Sequence, residues 1–345
     1  MAELFSTLND IKTHVGGAIS QTLELTSIAP VITDTALRHL VPYLGATFYD
    51  ALVAAYAANT MSGAQTALLP FVRRPLALLT LHEYAKVGGI EFSEGGIHRN
   101  ESENKKAAFR YQEKQYMEYT LEKGYDAIET LLQFLSDNAA TYTTWASTEE
   151  AAAHRTPLLN YAADFRKAMH LQCDRYTFDC LRPIIAGVES FAVQALLPAA
   201  FWEAYITAHE AGTLSAAEKV LRTRIRVAIA HRALDEALTL HWVQSKSGRI
   251  VVVEEFGEQN QYTRTGPTAA ASGAAHLNQQ AWADRHTQYW QQYILSNPDD
   301  FPLVFDEASG GTNTDADAWH ISTDEEQDLL DVAEVDRKGR AAVWL

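Results

Sequence analysis

Apolar residues along most of this chain return every three or four positions, the spacing of one helix face. The pattern predicts a short helix over about Leu8 to Val15 and a second over Ile28 to Leu40, with Pro30 tolerated in its first turn. A third begins near Ala46 in ATFYDALVAAYAAN and stops at a polar turn at Asn59. A fourth starts after Ser62, where Ser-Gly-Ala-Gln resembles an N-cap stretch, and runs to Gly88. A long amphipathic helix follows from about Glu103 to Leu135. Further on, the periodicity predicts helices over Ala162 to His170, Cys180 to Leu196 and Leu277 to Leu295. The small-residue run GPTAAASGAA before the last of these reads as a flexible connector.

One stretch breaks the helical period. VGGIEFSEGGIHRNESENKKAAFRY, from Val87 to Tyr111, holds two Gly-Gly pairs and then turns into charge. A phosphate loop needs GxxxxGK[ST], whose Lys reaches the phosphates, and a dinucleotide loop needs GxGxxG. Neither spacing is present. Ile90 and Phe92 alternate with Glu91, Ser93 to Gly96 form a turn, and Ile97 follows. That is the pattern of a β-hairpin at residues 88–98.

The chain is also written twice. At a shift of 153 residues, the separation of Pro30 from Pro183, Ile32 meets Ile185, Phe48 meets Phe201, Ser62 meets Ser215 and Arg73 meets Arg226. Roughly fourteen identities fall in about fifty positions, where chance gives about three. The second hairpin then falls in SGRIVVVEEFGEQNQYTRTG, residues 247–266. Gln115-Tyr116-Met117 resembles Gln288-Tyr289-Trp290. The expected organisation is mainly α. One helical-bundle domain covers 1–140, a linker 141–157, a second domain 158–298 and a C-terminal arm 299–345.

Charge refines this. The formal net charge is −16 over 345 residues, and thirteen Asp or Glu lie between Asp299 and Asp336 with no Lys or Arg among them. A protein that wraps duplex DNA needs clustered cations to displace counterions, and the absence of such a cluster argues against that role. The acidic segment reads as a solvated tail or as an arm that docks on a basic partner. No run of eighteen apolar residues and no basic, apolar leader is present, so neither a membrane span nor a signal peptide is expected. Cys173 and Cys180 would stand two turns apart on one helix, too far for a disulfide, and read as thiols in a reducing compartment.

Chemistry-bearing motifs are weak. His82-Glu83 opens HExxK and not the zinc motif HExxH. Glu254-Glu255 and Glu325-Glu326 are sequence neighbours, which on a strand point to opposite faces. No nucleophile elbow or local Cys-His signature appears. The expectation is no catalytic, cofactor or metal residues, and no enzyme. Tyr111, Tyr116, Tyr119 and Tyr125 suit core or subunit-interface packing. Arg73, repeated as Arg226 inside an apolar helix, suits an inter-helix ion pair or an ordinary surface position.

LRHLVPYLGATFYDALVAAYAAN followed by ALLPFVRRPLALLTLHEY resembles the helical core of phage head–tail connector (adaptor) proteins. The whole chain also resembles an uncharacterised, duplicated family encoded beside capsid and portal genes in phages and prophages of Bacteroidetes-type bacteria. The resemblance implies two tandem copies of a helical-bundle connector domain, each with an inserted β-hairpin, plus the acidic arm. It further implies a non-catalytic virion protein that forms a ring, commonly twelve-fold, below the portal protein. DNA would pass through the lumen without specific binding, and other neck or tail proteins would be partners. Hairpins and arms reach neighbours by strand addition or pocket docking. The candidate contact residues are therefore Ile90, Phe92, Ile97, Ile250, Val252, Phe256, Tyr262, Trp319, Val343 and Trp344. Other readings are another virion part, such as a tail terminator or tube-top protein, and, from a different class, a cytosolic helical enzyme or regulatory binding module.

Overall fold

The computed structural model is mainly helical and describes residues 4–15, 23–87, 90–93, 96–99, 110–240, 243–246, 249–252 and 269–305; for Arg110, for residues 269–276, and for every strand residue but Ile250, it describes the backbone alone. Four helices open the chain: α1 (Leu8–Val15), α2 (Leu25–His39), α3 (Val41–Leu44) and α4 (Ala46–Ala57). α5 (Gly63–Val87) leads to β1 (Ile90–Ser93) and β2 (Gly96–Arg99), and then comes α6 (Arg110–Asp137). Next are α7 (Thr143–Ala146), α8 (Glu149–Arg155), α9 (Ala162–Met169) and α10 (Arg175–Val188). A π-helical turn at Glu189–Val193 and a 3-10 turn at Gln194–Leu196 extend α10. The remainder is α11 (Ala199–Glu210), α12 (Ala216–Thr239), β3 (Val243–Lys246), β4 (Arg249–Val252), α13 (Ala269–Leu295) and α14 (Pro302–Phe305).

The two strand pairs are antiparallel. Phe92 stands opposite Ile97 in the first, and Ser245 opposite Ile250 in the second. Two compact units emerge: Met1–Gly187 with Glu236–Ser272, and Val188–Asp235 with Gly273–Leu345.

The first unit is built on the α5–α6 seam. Leu68, Val72, Leu76 and Leu79 on α5 and Ile128, Leu131, Leu132 and Leu135 on α6 are fully buried, at the three- and four-residue spacing of one face. α1 and α2 close over α5 through Ile11, Ile28 and Ile32. In the second unit, α12 buries Leu221, Ile225 and Ile229 while α13 buries Ala283, Trp290 and Ile294.

Several boundaries differ from the sequence reading, each for a physical reason. α2 begins three residues early, so Pro30 is its sixth residue, inside the helix; an N–H lost there costs one backbone bond. α10 begins at Arg175, and Cys173 lies before it rather than on a shared helix with Cys180; both thiols are free. Residues 141–157 are no linker. They fold as α7 and α8, with Trp145 and Ala151 fully buried and the indole N–H donating to the Tyr43 carbonyl at 3.1 Å. The Ala-rich run read as a connector lies in α13 from Ala269, as good helix formers allow. The second strand pair joins Val243–Lys246 to Arg249–Val252, so its first strand lies ahead of the hairpin expected at residues 247–266.

Candidate functional site

α6 carries an anomaly. Glu129 sits in its buried apolar stripe between Ile128 and Leu131, and a buried carboxylate is costly unless paired. Its partners come from later in the chain. Glu129 Oε1 accepts from the Ala163 backbone N–H at 3.0 Å, in the first turn of α9, where the helix dipole favours an anion. Its Oε2 accepts from Arg175 Nη1 at 2.9 Å.

Arg175 is wholly buried at the start of α10. Its Nε donates to Asp179 Oδ2 at 3.0 Å, and Nη2 lies 2.9 Å from Asp179 Oδ1 as an ion pair. Nη1 also reaches the Asn160 carbonyl at 3.3 Å. The rings of Tyr43 and Phe178 lie 5.5 and 5.4 Å from the guanidinium carbon. Tyr43 on α3 donates its hydroxyl to Asp179. Burial works against the charge on Arg175, but Asp179 and Glu129 outweigh it and hold its pKa above the ordinary value. Burial, with Asp179 beside it, pushes the Tyr43 hydroxyl well up. One cation and two carboxylates thus bolt α10 to α3, α6 and α9.

A second polar chain runs beside it. His39 Nδ1 lies 3.1 Å from the Tyr125 hydroxyl and Nε2 lies 3.3 Å from Glu83, which also holds Lys86 at 3.0 Å. Burial lowers the His39 pKa although Glu83 opposes it. Tyr125 meets Tyr176 of α10 edge-on at 5.1 Å. His154 on α8 is buried with no hydrogen-bond partner on either nitrogen and stands edge-on to Tyr161 at 5.0 Å. Burial, then the charges of Arg175, Arg182 and Arg155, take its pKa well below the ordinary value. It is a neutral core histidine.

Two open grooves flank α6. One, of about 380 Å³, lies against Phe71 and Arg74; the other, of about 620 Å³, lies against Arg166 and Cys173. Lys123 and Asp126, paired at 3.1 Å, line both. Burial pushes the Cys173 thiol up, away from the nucleophilic thiolate. Among the described residues, no three His, Cys, Asp or Glu side chains gather as a metal site would need.

The second unit has its own cluster. His231 on α12 stacks on His286 and Trp282 of α13 at 5.0 and 6.0 Å. His231 Nδ1 lies 2.9 Å from Gln279 Oε1. Burial, the neighbouring His231 and Arg285 bring His286 down to about 4.

The residues singled out in the sequence fare differently. Ile90, Phe92 and Ile97 lie on β1 and β2, and Val252 ends β4. Ile250 is no free contact residue: it is fully buried, and its N–H donates to the Gln172 carbonyl at 2.9 Å. Phe256, Tyr262, Trp319, Val343 and Trp344 lie outside the described residues, as does the arm from 306 onward. Arg73 makes no carboxylate bridge among the described residues. Its Nε donates to the Leu4 carbonyl at 2.7 Å and its guanidinium lies over Tyr56 at 4.8 Å, fastening the N-terminal segment. Arg226 lies close enough to Tyr205 to act on its hydroxyl electrostatically. Tyr125 is core, while Tyr111, Tyr116 and Tyr119 are exposed.

The sequence reading missed Glu129, Arg175, Asp179 and Tyr43. A signal for them exists: a lone acid within an apolar helix stripe, and an Arg-Asp pair at i, i+4. The pairing of the two needs the fold.

A family of unknown function (DUF6712) matches residues 40–155, from the end of α2 through α8. The match takes in α7 and α8, in keeping with their burial against α3. No curated protein and no solved structure matches the chain. Among the described residues, no helix is long and apolar enough to cross a membrane.

Proposed function

We propose that the chain is two copies of one helical unit, and that it serves as a structural ring protein of a phage head–tail neck, seated below the portal around the DNA channel. Duplication has support beyond sequence identity. Ser62 N–H donates to Gln65 Oε1 at 2.8 Å while Gln65 N–H donates to Ser62 Oγ at 3.2 Å. At the shift of 153, Ser215 and Glu218 make the same reciprocal cap at 2.7 and 3.1 Å. Ahead of each cap stands a left-handed residue, Asn59 (φ 58°) or Gly212 (φ 70°). There, Thr60 N–H bonds the Ala55 carbonyl at 2.9 Å and Thr213 N–H bonds the Ala208 carbonyl at 2.8 Å. α4 and α11 are 12 residues each. A strand pair follows α5, and another follows α12.

After the strands the shift grows to 159, the separation of Asn138 from Asn297. Asn138 Nδ2 donates to the Phe134 carbonyl at 2.8 Å, and Asn297 Nδ2 to the Tyr293 carbonyl at 2.7 Å. Leu131 and Trp290, then Leu135 and Ile294, are fully buried in step. This register replaces the match of 115–117 with 288–290.

This repetition carries the functional reading. A helical unit kept with its turns and caps, and bolted to the next copy by a closed ionic joint, suits an assembly part. The resemblance of residues 37–59 and 67–84 to connector cores points the same way, as does a net charge of −16, which lets DNA slide past a channel wall. The protein is then non-catalytic and located in the virion, with the portal, neighbouring neck proteins and its own copies as partners. Co-expression with a portal protein from the same phage or prophage tests this. Electron microscopy should show rings that co-purify with the portal. A chain that stays monomeric and ignores the portal overturns the reading.

A further inference from the structure

We infer that the joint inside the chain has a counterpart between copies. Residues 23–29, at the start of α2 of one molecule, seat on the turn at Leu196 and the outer face of α13 of the next. The inference rests on the duplication and self-assembly proposed above.

Within the first unit, α10 of the second copy seats on α3 and α6 of the first through Asp179–Tyr43, Arg175–Glu129 and Tyr176–Tyr125. The repeat places Leu196 where the first copy has Tyr43, and Gln288 where it has Glu129. It places Thr22 for Arg175, Leu23 for Tyr176, Thr26 for Asp179 and Ala29 for Arg182. Every charge of the joint is gone, and gone from both sides together. Independent drift on two solvated faces gives no reason for that. A buried acid, however, cannot stand opposite a neutral partner, so two faces that meet must lose their charges as a pair.

The exposure agrees. Leu196 is 39% exposed and Phe191, five residues earlier, is 82% exposed. Thr26 is exposed, and Leu23 and Ala29 are half-exposed. Two charges remain nearby. Glu24 is exposed and takes the Thr26 hydroxyl at 3.3 Å; Asp284, which stands where the first copy has Tyr125, is 60% exposed and pairs with Arg232 at 3.1 Å. Both suit the polar rim of an interface with a neutral centre. The occupant of the Leu196 face is therefore a second copy of this chain, meeting it head to tail. Such a contact is heterologous and closes into a ring in which charged and neutral joints alternate.

The test uses the full chain carrying Thr26→Cys and Leu196→Cys, the pair equivalent to Asp179–Tyr43. A short bis-maleimide, which bridges thiols that stand too far apart for a disulfide, should give a ladder of cross-linked multimers on a denaturing gel, with neither single variant doing so. Leu196→Arg should weaken self-association about tenfold or more in sedimentation, as loss of an interface anchor does. A double variant that sediments as a ring but stays unlinked overturns the surface and leaves the ring reading standing. A cross-link closed within one chain also overturns the surface. A chain that sediments as a monomer overturns both.

Discussion

α5 with α6 and α12 with α13 are helix pairs of nearly equal length, yet they are held together by different means. In the first, Gly124 lets α6 approach until a Cβ there would stand 2.6 Å from the Leu79 side chain, and Phe71 stacks on Phe134 at 4.1 Å. In the second, Ala283 stands at the position of Gly124, and rings fill the seam: His231, Trp282 and His286, with Arg224 over Tyr293 at 4.6 Å. Around the first, Glu129 and Arg175 add a buried ionic bolt; around the second, no equivalent charges stand in the sequence. One topology therefore tolerates two interiors, provided that each polar group placed inside brings its partner.

The sharpest way to break this contrast is Arg175→Ala. It leaves the buried Glu129 and the half-buried Asp179 without their cation and should cost about 3–5 kcal/mol in urea denaturation. A loss under 1 kcal/mol would show that the joint is ornamental. Next is Gly124→Ala, which drives a methyl into Leu79, a fully buried side chain with little room to turn. It should cost about 1–3 kcal/mol, whereas Ala283→Gly on α13 should cost only the helix-propensity difference of about 1 kcal/mol. Equal losses at the two sites would mean that the seams do not differ in closeness.

The caps should show no contrast. Ser62→Ala and Ser215→Ala each remove one side of a reciprocal cap and should each cost about 1 kcal/mol, by the same thermal or urea assay. Unequal costs would count against the two turns being copies.

The smallest effect is that of acid on the ring-lined seam. His286 is held at about 4 in the folded chain against an ordinary 6.5. The unfolded chain therefore binds the proton first, and stability is lost as pH falls from about 6.5 toward 4. His154 contributes in the same direction, from the first unit. His286→Gln should flatten the pH slope of the unfolding midpoint over that range. An unchanged slope would assign the acid sensitivity elsewhere.

Periodicity alone determined that the chain is mainly helical, and the shift of 153 raised the expectation of two copies. Both depend on local spacing, which a sequence displays directly. The starts of α2, α10 and α13 moved: Pro30 and the alanines near 270 are carried inside longer helices, and Asp174 caps α10 ahead of the expected start at Cys180, its Oδ1 accepting from the Thr177 N–H at 2.7 Å. Residues 141–157 looked like a link because they are short and polar; only packing shows Trp145 reaching the Tyr43 carbonyl. Ile250 looked like a free hairpin residue until the fold brought the Gln172 carbonyl to its N–H. The same holds for Glu129 and Arg175, forty-six residues apart. The sequence by itself set the helices, since those follow from neighbouring residues. Which charges neutralise each other was decided only in three dimensions, because desolvation and pairing depend on what lies within a few ångströms, whatever the distance along the chain.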